Sequence, residues 1–168
     1  MSLKSIKRLC RHLFILPGAV NRSFPADTMR RIEAAIAENE SLHSGEIRFA
    51  VESNLEVIDL LKNKSAKKRA IEVFSQLRVW DTEQNNGVLI YLLLADHDFE
   101  ILADRGIHHH VGEEGWERIS KEMERLFRQG QFESGIVYGI SQIGMLLAQH
   151  YPANDSNVNE LPNAPVIM

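Results

Sequence analysis

The chain has 168 residues and a formal net charge of −4, from 19 Lys and Arg against 23 Asp and Glu. That length suits one domain with a sizeable core, and 44% hydrophobic with 25% charged residues excludes a wholly disordered chain. The single cysteine, Cys10, excludes disulfide frameworks and Cys-rich zinc sites, which suits a reducing cytoplasm. The acidic balance argues against nucleic-acid binding, and the longest apolar run, residues 87–95, is shorter than the roughly 20 residues of a membrane-spanning helix.

The first 31 residues differ in charge from the rest of the chain. They hold seven Lys and Arg and one acid, so their net charge is +6 and the remainder carries −10. Apolar residues recur at helical spacing over residues 3–14 with basic residues between them, which predicts an amphipathic helix. Its basic side chains interrupt the apolar stretch that a signal peptide needs. Two interpretations stay open: peripheral contact of residues 3–14 with an anionic membrane surface, and a helix docked on its own acidic domain, which we favour.

Three further elements follow in the first half of the chain. The hydrophobic pattern predicts a helix over residues 28–39 and then a strand over 46–52, in which alternate apolar residues face one way. Residues 53–63 are ambiguous, with room for a short helical piece. Another helix is predicted over about 65–79, with its apolar residues at helical spacing.

The second half of the chain begins with a polar loop and a continuous apolar run. That run, residues 88–94, predicts a central strand covered on both faces. Residues 98–103 alternate after a tight turn and predict the second strand of a hairpin. Two helices follow at about 113–129 and 132–150. The segment 152–168, rich in Asn and Pro, is predicted to be a disordered tail.

This order of elements predicts an α/β fold, specifically a three-layer α/β/α sandwich with a small mixed sheet. Two strands lie parallel through a right-handed helical crossover, and a third pairs with the second of them as an antiparallel hairpin strand. We expect three parts: a basic N-terminal helix and linker over residues 1–25, the α/β/α domain over 26–151, and the tail over 152–168.

Five oxygen-bearing side chains are expected at one edge of this sheet. In a hairpin, the entry to the first strand lies beside the exit of the second, so the loop over residues 81–86 should lie next to the end of the third strand. Carboxylate and amide oxygens are the ligands that hard divalent cations prefer. The candidate ligands of a Ca²⁺ or Mg²⁺ ion are therefore Asp81, Glu83, Asn85, Asn86 and Asp104. Ordinary turn formation and structural ion pairs are the alternative explanation for the same residues.

Three consecutive histidines, His108, His109 and His110, follow this edge. They cannot all face one metal ion from a helix or strand, although two could do so from an irregular loop. Exposure in a loop or at a helix start is the alternative. Arg105, beside Asp104, could bind a phosphate or pair with the neighbouring acids.

Four segments, taken in order, resemble the TPM domain family: residues 49–52, 80–90, 100–107 and 127–135, of which the last matches the family's F-R-x-G-x-(F/Y)-x-x-G element. The resemblance covers about residues 26–150. It implies an α/β/α sandwich and a divalent-cation site of acidic residues, with Ca²⁺ or Mg²⁺ in some members. It also implies, at most, weak acid phosphatase activity, as reported for a thylakoid-lumen member linked to photosystem II repair.

The resemblance also assigns positions. Asp81 and Asn85-Asn86 match the acidic and amide stretch before the family's N-G-V strand, and Asp104-Arg105-Gly106 occupies the place of its G-Y-G or D-R-G turn. Many members carry an N-terminal signal sequence and a C-terminal membrane anchor. Neither is evident here, so the chain resembles the soluble bacterial variety, and we expect a cytoplasmic protein.

Three hypotheses about function follow. In the first, the chain is a TPM-like domain that binds a divalent cation at the acidic edge. In the second, it is a metal-dependent phosphomonoester hydrolase: Asp104 and Asp81 would hold the cation, Arg105 would neutralise developing charge, and His109 or His110 would protonate the leaving group. In the third, it is a non-catalytic module that assembles or maintains other proteins through an unidentified protein partner.

Overall fold

A four-stranded mixed sheet forms the centre of the molecule. The computed structural model describes residues 3–154 and 158–168. The strands, in chain order, are β1 (Glu46–Glu52), β2 (Gly87–Leu93), β3 (Asp98–Ala103) and β4 (Val166–Ile167), and they lie in the order β3-β2-β1-β4. β1 runs parallel to β2, and β2 pairs antiparallel with β3. The predicted parallel pair and hairpin are thereby confirmed.

Seven helices in the described ranges surround the sheet. They are α1 (Leu3–Leu13), α2 (Ala19–Ser23), α3 (Ala26–Glu40), α4 (Val57–Leu61), α5 (Ala66–Gln76), α6 (Arg105–Arg128) and α7 (Phe132–His150). α6 begins earlier than predicted because Asp104 caps it, its carboxylate accepting a 2.7 Å hydrogen bond from the Arg105 N–H. The helix breaks at Gly112, whose φ of 67° is left-handed, and the predicted helix corresponds to the part after that break.

The helices cover both faces of the sheet. On β1 and β2, alternate residues enter two separate cores. Ile47, Phe49, Val88 and Ile90 belong to the core shared with α3, α6 and α7. Their neighbours Ala50, Leu89 and Tyr91 point to the opposite face and belong to the core shared with α4 and α5. This alternation produces the predicted α/β sandwich, with β2 buried on both faces.

The basic first helix is docked on the domain, as favoured above. The Arg8 guanidinium lies 2.7 Å from the Asp96 carboxylate, and Nε2 of the buried His12 lies 3.1 Å from the same carboxylate. Nδ1 of His12 accepts a 3.0 Å hydrogen bond from the Leu55 N–H. In the described part of the chain, no helix combines the length and the apolar character needed to cross a bilayer.

The C-terminal segment differs from the predicted disordered tail. Residues 158–168 lie along β1: the Glu46 carboxylate accepts hydrogen bonds from the N–H groups of Glu160 (2.8 Å) and Leu161 (3.3 Å). Leu161 is buried, and β4 pairs parallel with β1. The prediction of disorder was therefore wrong for residues 158–168. Main-chain pairing with β1 and the buried Glu46 carboxylate hold this segment in place. Amino-acid composition does not reveal such contacts. Residues 155–157 of the predicted tail lie outside the described residues.

Candidate functional site

Two loops meet at the edge of the sheet where β2 begins and β3 ends. The Asp104 N–H donates a 2.8 Å hydrogen bond to the Gly87 carbonyl, and the Gly106 N–H donates a 2.9 Å bond to the Asn85 carbonyl. A Cβ on Gly106 would lie 2.6 Å from the Asn85 carbonyl oxygen and 2.7 Å from that of Gln84. Only glycine allows this approach. The predicted meeting of residues 81–86 with residues 104–106, here called the joined loops, is confirmed.

Two side chains of the joined loops carry buried oxygens without a hydrogen-bond donor. Asn86 is 0% exposed and Asp104 is 8% exposed. The Asn86 amide nitrogen donates to the Ser44 carbonyl at 3.2 Å, and one Asp104 oxygen caps α6. The remaining oxygens, Asn86 Oδ1 and Asp104 Oδ2, are buried and have no partner among the described residues. Each is an acceptor that water cannot reach freely and that no protein donor satisfies.

The other three predicted ligands lie at the same edge with exposed side chains. The Asp81 carboxylate forms a 2.9 Å ion pair with Arg78. Asn85 has a left-handed φ of 53°, which fits the turn-formation alternative. Among residues 3–154 and 158–168, no three His, Cys, Asp or Glu side chains are arranged to hold a metal ion. The joined loops therefore combine two buried oxygens with an exposed acidic rim that includes Glu83.

Arg105 and the three histidines lie on the first turns of α6, before the break at Gly112. The side chains of Arg105, His109 and His110 are exposed. Arg105 and His109 are four residues apart in the helix and so share one face beside Asp104. His110 packs on the end of α7, where its ring stacks on His150 with centroids 4.5 Å apart. The histidines thus occupy a helix start, as one of the two alternatives predicted, rather than an irregular loop.

Tyr151 is a site residue that sequence reasoning missed. Its hydroxyl would lie 2.7 Å from a Cβ on Gly106, and its ring meets that of His110 edge-on at 5.8 Å. Burial, together with the nearby Asp104 carboxylate, raises the pKa of Tyr151. Tyr151 reaches the joined loops because its carbonyl accepts a 2.9 Å hydrogen bond from the Ser44 N–H. No spacing or motif in the sequence marks this contact.

Comparison with known proteins identifies a matching family and a similar solved structure. Residues 22–146 match the profile of the TPM domain. The chain is similar to the BA42 protein from the psychrophilic bacterium Bizionia argentinensis, whose structure was solved by NMR: the identity is 34%, the TM-score is 0.77, and the match covers 86% of this chain and 95% of that one. A search of curated proteins gave no match.

Proposed function

The chain belongs to the TPM domain family, and on that premise we propose that it is a divalent-cation-binding domain whose cation contacts Asn86 and Asp104 in the joined loops. If these two residues served only to form turns, the buried oxygens Asn86 Oδ1 and Asp104 Oδ2 would have no role. The predicted ligand set of five is thereby reduced to two inner ligands, and Asp81, Glu83 and Asn85 form the exposed rim around them.

One observation carries this proposal: Asn86 Oδ1 and Asp104 Oδ2 are both buried and lack a donor in the described part of the chain. A buried acceptor without a donor destabilises the folded state by about 1–3 kcal/mol, and a carboxylate by more. A cation held between these two side chains would satisfy both oxygens. Mg²⁺ fits such a sparse donor set best, because it keeps several of its own waters and needs only one or two protein carboxylates, whereas Ca²⁺ takes six to eight oxygens.

Mg²⁺ is expected to raise the thermal midpoint of the wild-type protein, compared with the protein in EDTA. A cation at about 100 times its dissociation constant stabilises the folded state by about 2.7 kcal/mol, which corresponds to roughly 5–10 °C for a chain of this size. Asp104→Asn should reduce the shift by half or more at the same Mg²⁺ concentration. Asparagine caps helices as well as aspartate does, so the variant keeps the start of α6 intact. Differential scanning calorimetry measures both.

Asp81→Asn is the matched control, since Asp81 is an acid of the joined loops whose side chain is exposed and paired with Arg78. We expect this variant to retain most of the Mg²⁺ shift. Equal shifts for wild type and Asp104→Asn would contradict the proposal, as would a wild-type midpoint that neither Mg²⁺ nor Ca²⁺ changes.

Hydrolysis of phosphomonoesters is a second candidate function, favoured by the shared helix face of Arg105 and His109 beside Asp104. A bound cation would supply polarisation of the phosphoryl oxygens. The exposed Arg105 guanidinium is placed to neutralise charge on a phosphate bound at the joined loops. His109 or His110 would hold the proton that the leaving oxygen receives.

Arg105→Ala is expected to lower kcat/KM for p-nitrophenyl phosphate by about 100-fold, because a donor to developing charge is lost. Arg118→Ala, an exposed arginine further along α6, is the control and should leave turnover unchanged. Undiminished turnover in a folded Arg105→Ala variant would contradict this role. No turnover by the wild type would leave the cation site in place and favour the non-catalytic module with a protein partner.

A further inference from the structure

A cavity of about 570 Å³ lies at the end of the sheet opposite the joined loops. It opens just beyond the carboxyl end of β2, between the β2–β3 turn and the turn that joins α6 to α7. Leu92 and Leu94 line it from the sheet side, and Gly130 lines it from the helix turn. Its volume falls within the range of small-molecule sites, about 300–1,000 Å³.

Aromatic rings form much of the wall of this cavity. Phe99, Phe127 and Phe132 all line it, and all three are half-buried. The rings of Phe99 and Phe127 meet edge-on with centroids 5.1 Å apart, and those of Phe127 and Phe132 stack at 5.8 Å. Because neighbouring rings hold one another in place, the wall is preformed and suits a flat apolar group.

One exposed carboxylate at the cavity, that of Asp98, forms no direct ion pair among the described residues. Glu124 and Arg128, which also line it, pair with each other across one helical turn. Asp98 lines the cavity too, and no ion pair is formed by its carboxylate in the described ranges. Partial burial raises the pKa of Asp98, and the nearby Asp96 and Glu124 carboxylates raise it further, whereas the Phe99 N–H and the Arg8 guanidinium lower it. A bound cation would relieve this repulsion, and an anion would increase it.

We propose that this cavity binds a small molecule with a flat apolar body and one positively charged nitrogen. The apolar body would occupy the space between Phe99, Phe127 and Phe132, and the nitrogen would lie near the Asp98 carboxylate. The faces of the phenylalanine rings add cation–π attraction to this charge pair.

The position of the cavity in the fold supports the same assignment. In open α/β sheets, ligands bind beyond the carboxyl ends of the parallel strands. β1 and β2 are parallel, and Leu92, Leu94 and His97 place the cavity beyond the carboxyl end of β2. The joined loops lie at the amino end of the same strand, so this site is independent of the proposed cation site.

Titration of ¹⁵N-labelled protein with phenethylammonium, followed by two-dimensional NMR, tests the proposal. We expect the amide signals of Asp98, Phe99 and Gly130 to shift, and the signals of the joined loops to stay in place. Phenethyl alcohol has the same apolar body without the charge, and it should bind about tenfold more weakly. The anion hydrocinnamate should bind more weakly still.

Asp98→Asn should remove most of the preference for the amine, leaving only the part due to cation–π attraction, while binding of the alcohol stays unchanged. Glu100→Gln is the control, because Glu100 is a half-buried acid on the same strand as the exposed Asp98 and does not line the cavity. This variant should keep the tenfold preference. Equal affinity of the wild type for amine and alcohol would overturn the proposed ligand class. The site itself would be overturned if no probe shifted the cavity signals at millimolar concentration.

Discussion

Replacing Glu52 with alanine is expected to lower the free energy of unfolding by about 3–5 kcal/mol, as breaking a buried ion pair does. The Glu52 carboxylate lies at the end of β1, where it accepts hydrogen bonds of 2.8 and 3.1 Å from the Arg69 guanidinium. It also accepts a 2.6 Å bond from the hydroxyl of the fully buried Tyr91. Without Glu52, a hydroxyl and much of a guanidinium would remain inside the fold without an acceptor. Urea unfolding measures the loss.

Glu72→Ala is the matched control for this prediction. Glu72 pairs with the same Arg69 at 3.3 Å but is 41% exposed, so its loss should lower the free energy of unfolding by about 1 kcal/mol or less. A Glu52→Ala variant that is no less stable than Glu72→Ala would show that the buried network contributes nothing beyond an ordinary surface pair.

Glu40→Gln is expected to make the protein more stable than wild type at pH 8, and to have little effect at pH 5. Glu40 accepts a 3.0 Å hydrogen bond from the Ile47 N–H, and its carboxyl group is hydrogen-bonded to that of Glu46. Burial raises the pKa of Glu40 to about 8 and that of Glu46 to about 7. Both groups are ionised in the unfolded chain above pH 4.5, so the stability they confer as neutral acids is lost as pH rises through these pKa values.

Two histidines limit the pH window of this prediction. Burial lowers the pKa of His12, and it lowers that of His43 to about 4. Their stabilisation is lost as pH falls below 6.5, which opposes the gain from Glu40 and Glu46 in that range. Between pH 6.5 and 8 the two acids contribute most of the pH dependence, and the wild type should lose about 2 kcal/mol over this interval.

Urea unfolding at pH 5, 6.5 and 8 provides the measurement for Glu40→Gln. The variant should remove most of the loss that the wild type shows above pH 6.5. Glu38→Gln is the control, because Glu38 is an exposed acid on the same helix, α3. This variant should keep the pH dependence of the wild type. If Glu40→Gln and wild type lose stability in parallel between pH 6.5 and 8, Glu40 is ionised in the folded protein and the account of this cluster is wrong.

Much of the sheet could be predicted from the sequence because its signals are local. The continuous apolar run of β2 follows from the coverage of both its faces, and the alternation of β1 indicates a strand even though all seven of its residues are buried. The hairpin then places Asp104 beside residues 81–86 by topology alone, and the hydrogen bond from Asp104 N–H to the Gly87 carbonyl confirms this.

The remaining features depend on contacts between distant parts of the chain. Tyr151 reaches the joined loops through Ser44, and residues 158–168 are held by Glu46, more than 100 positions away. Tertiary packing also determines which oxygens of the predicted cation site are buried. Spacing marks Asp81 and Asp104 as equivalent, whereas packing buries Asp104 and leaves Asp81 exposed.

The central claim is that a divalent cation binds at Asn86 and Asp104, and direct titration with MgCl₂ by isothermal titration calorimetry tests it most directly. We predict one binding site in the wild type and the same site in Asp81→Asn, with affinities within about threefold of each other, and at least about tenfold weaker binding by Asp104→Asn. The same affinity in Asp104→Asn as in wild type, or loss of binding in Asp81→Asn instead, would contradict the claim.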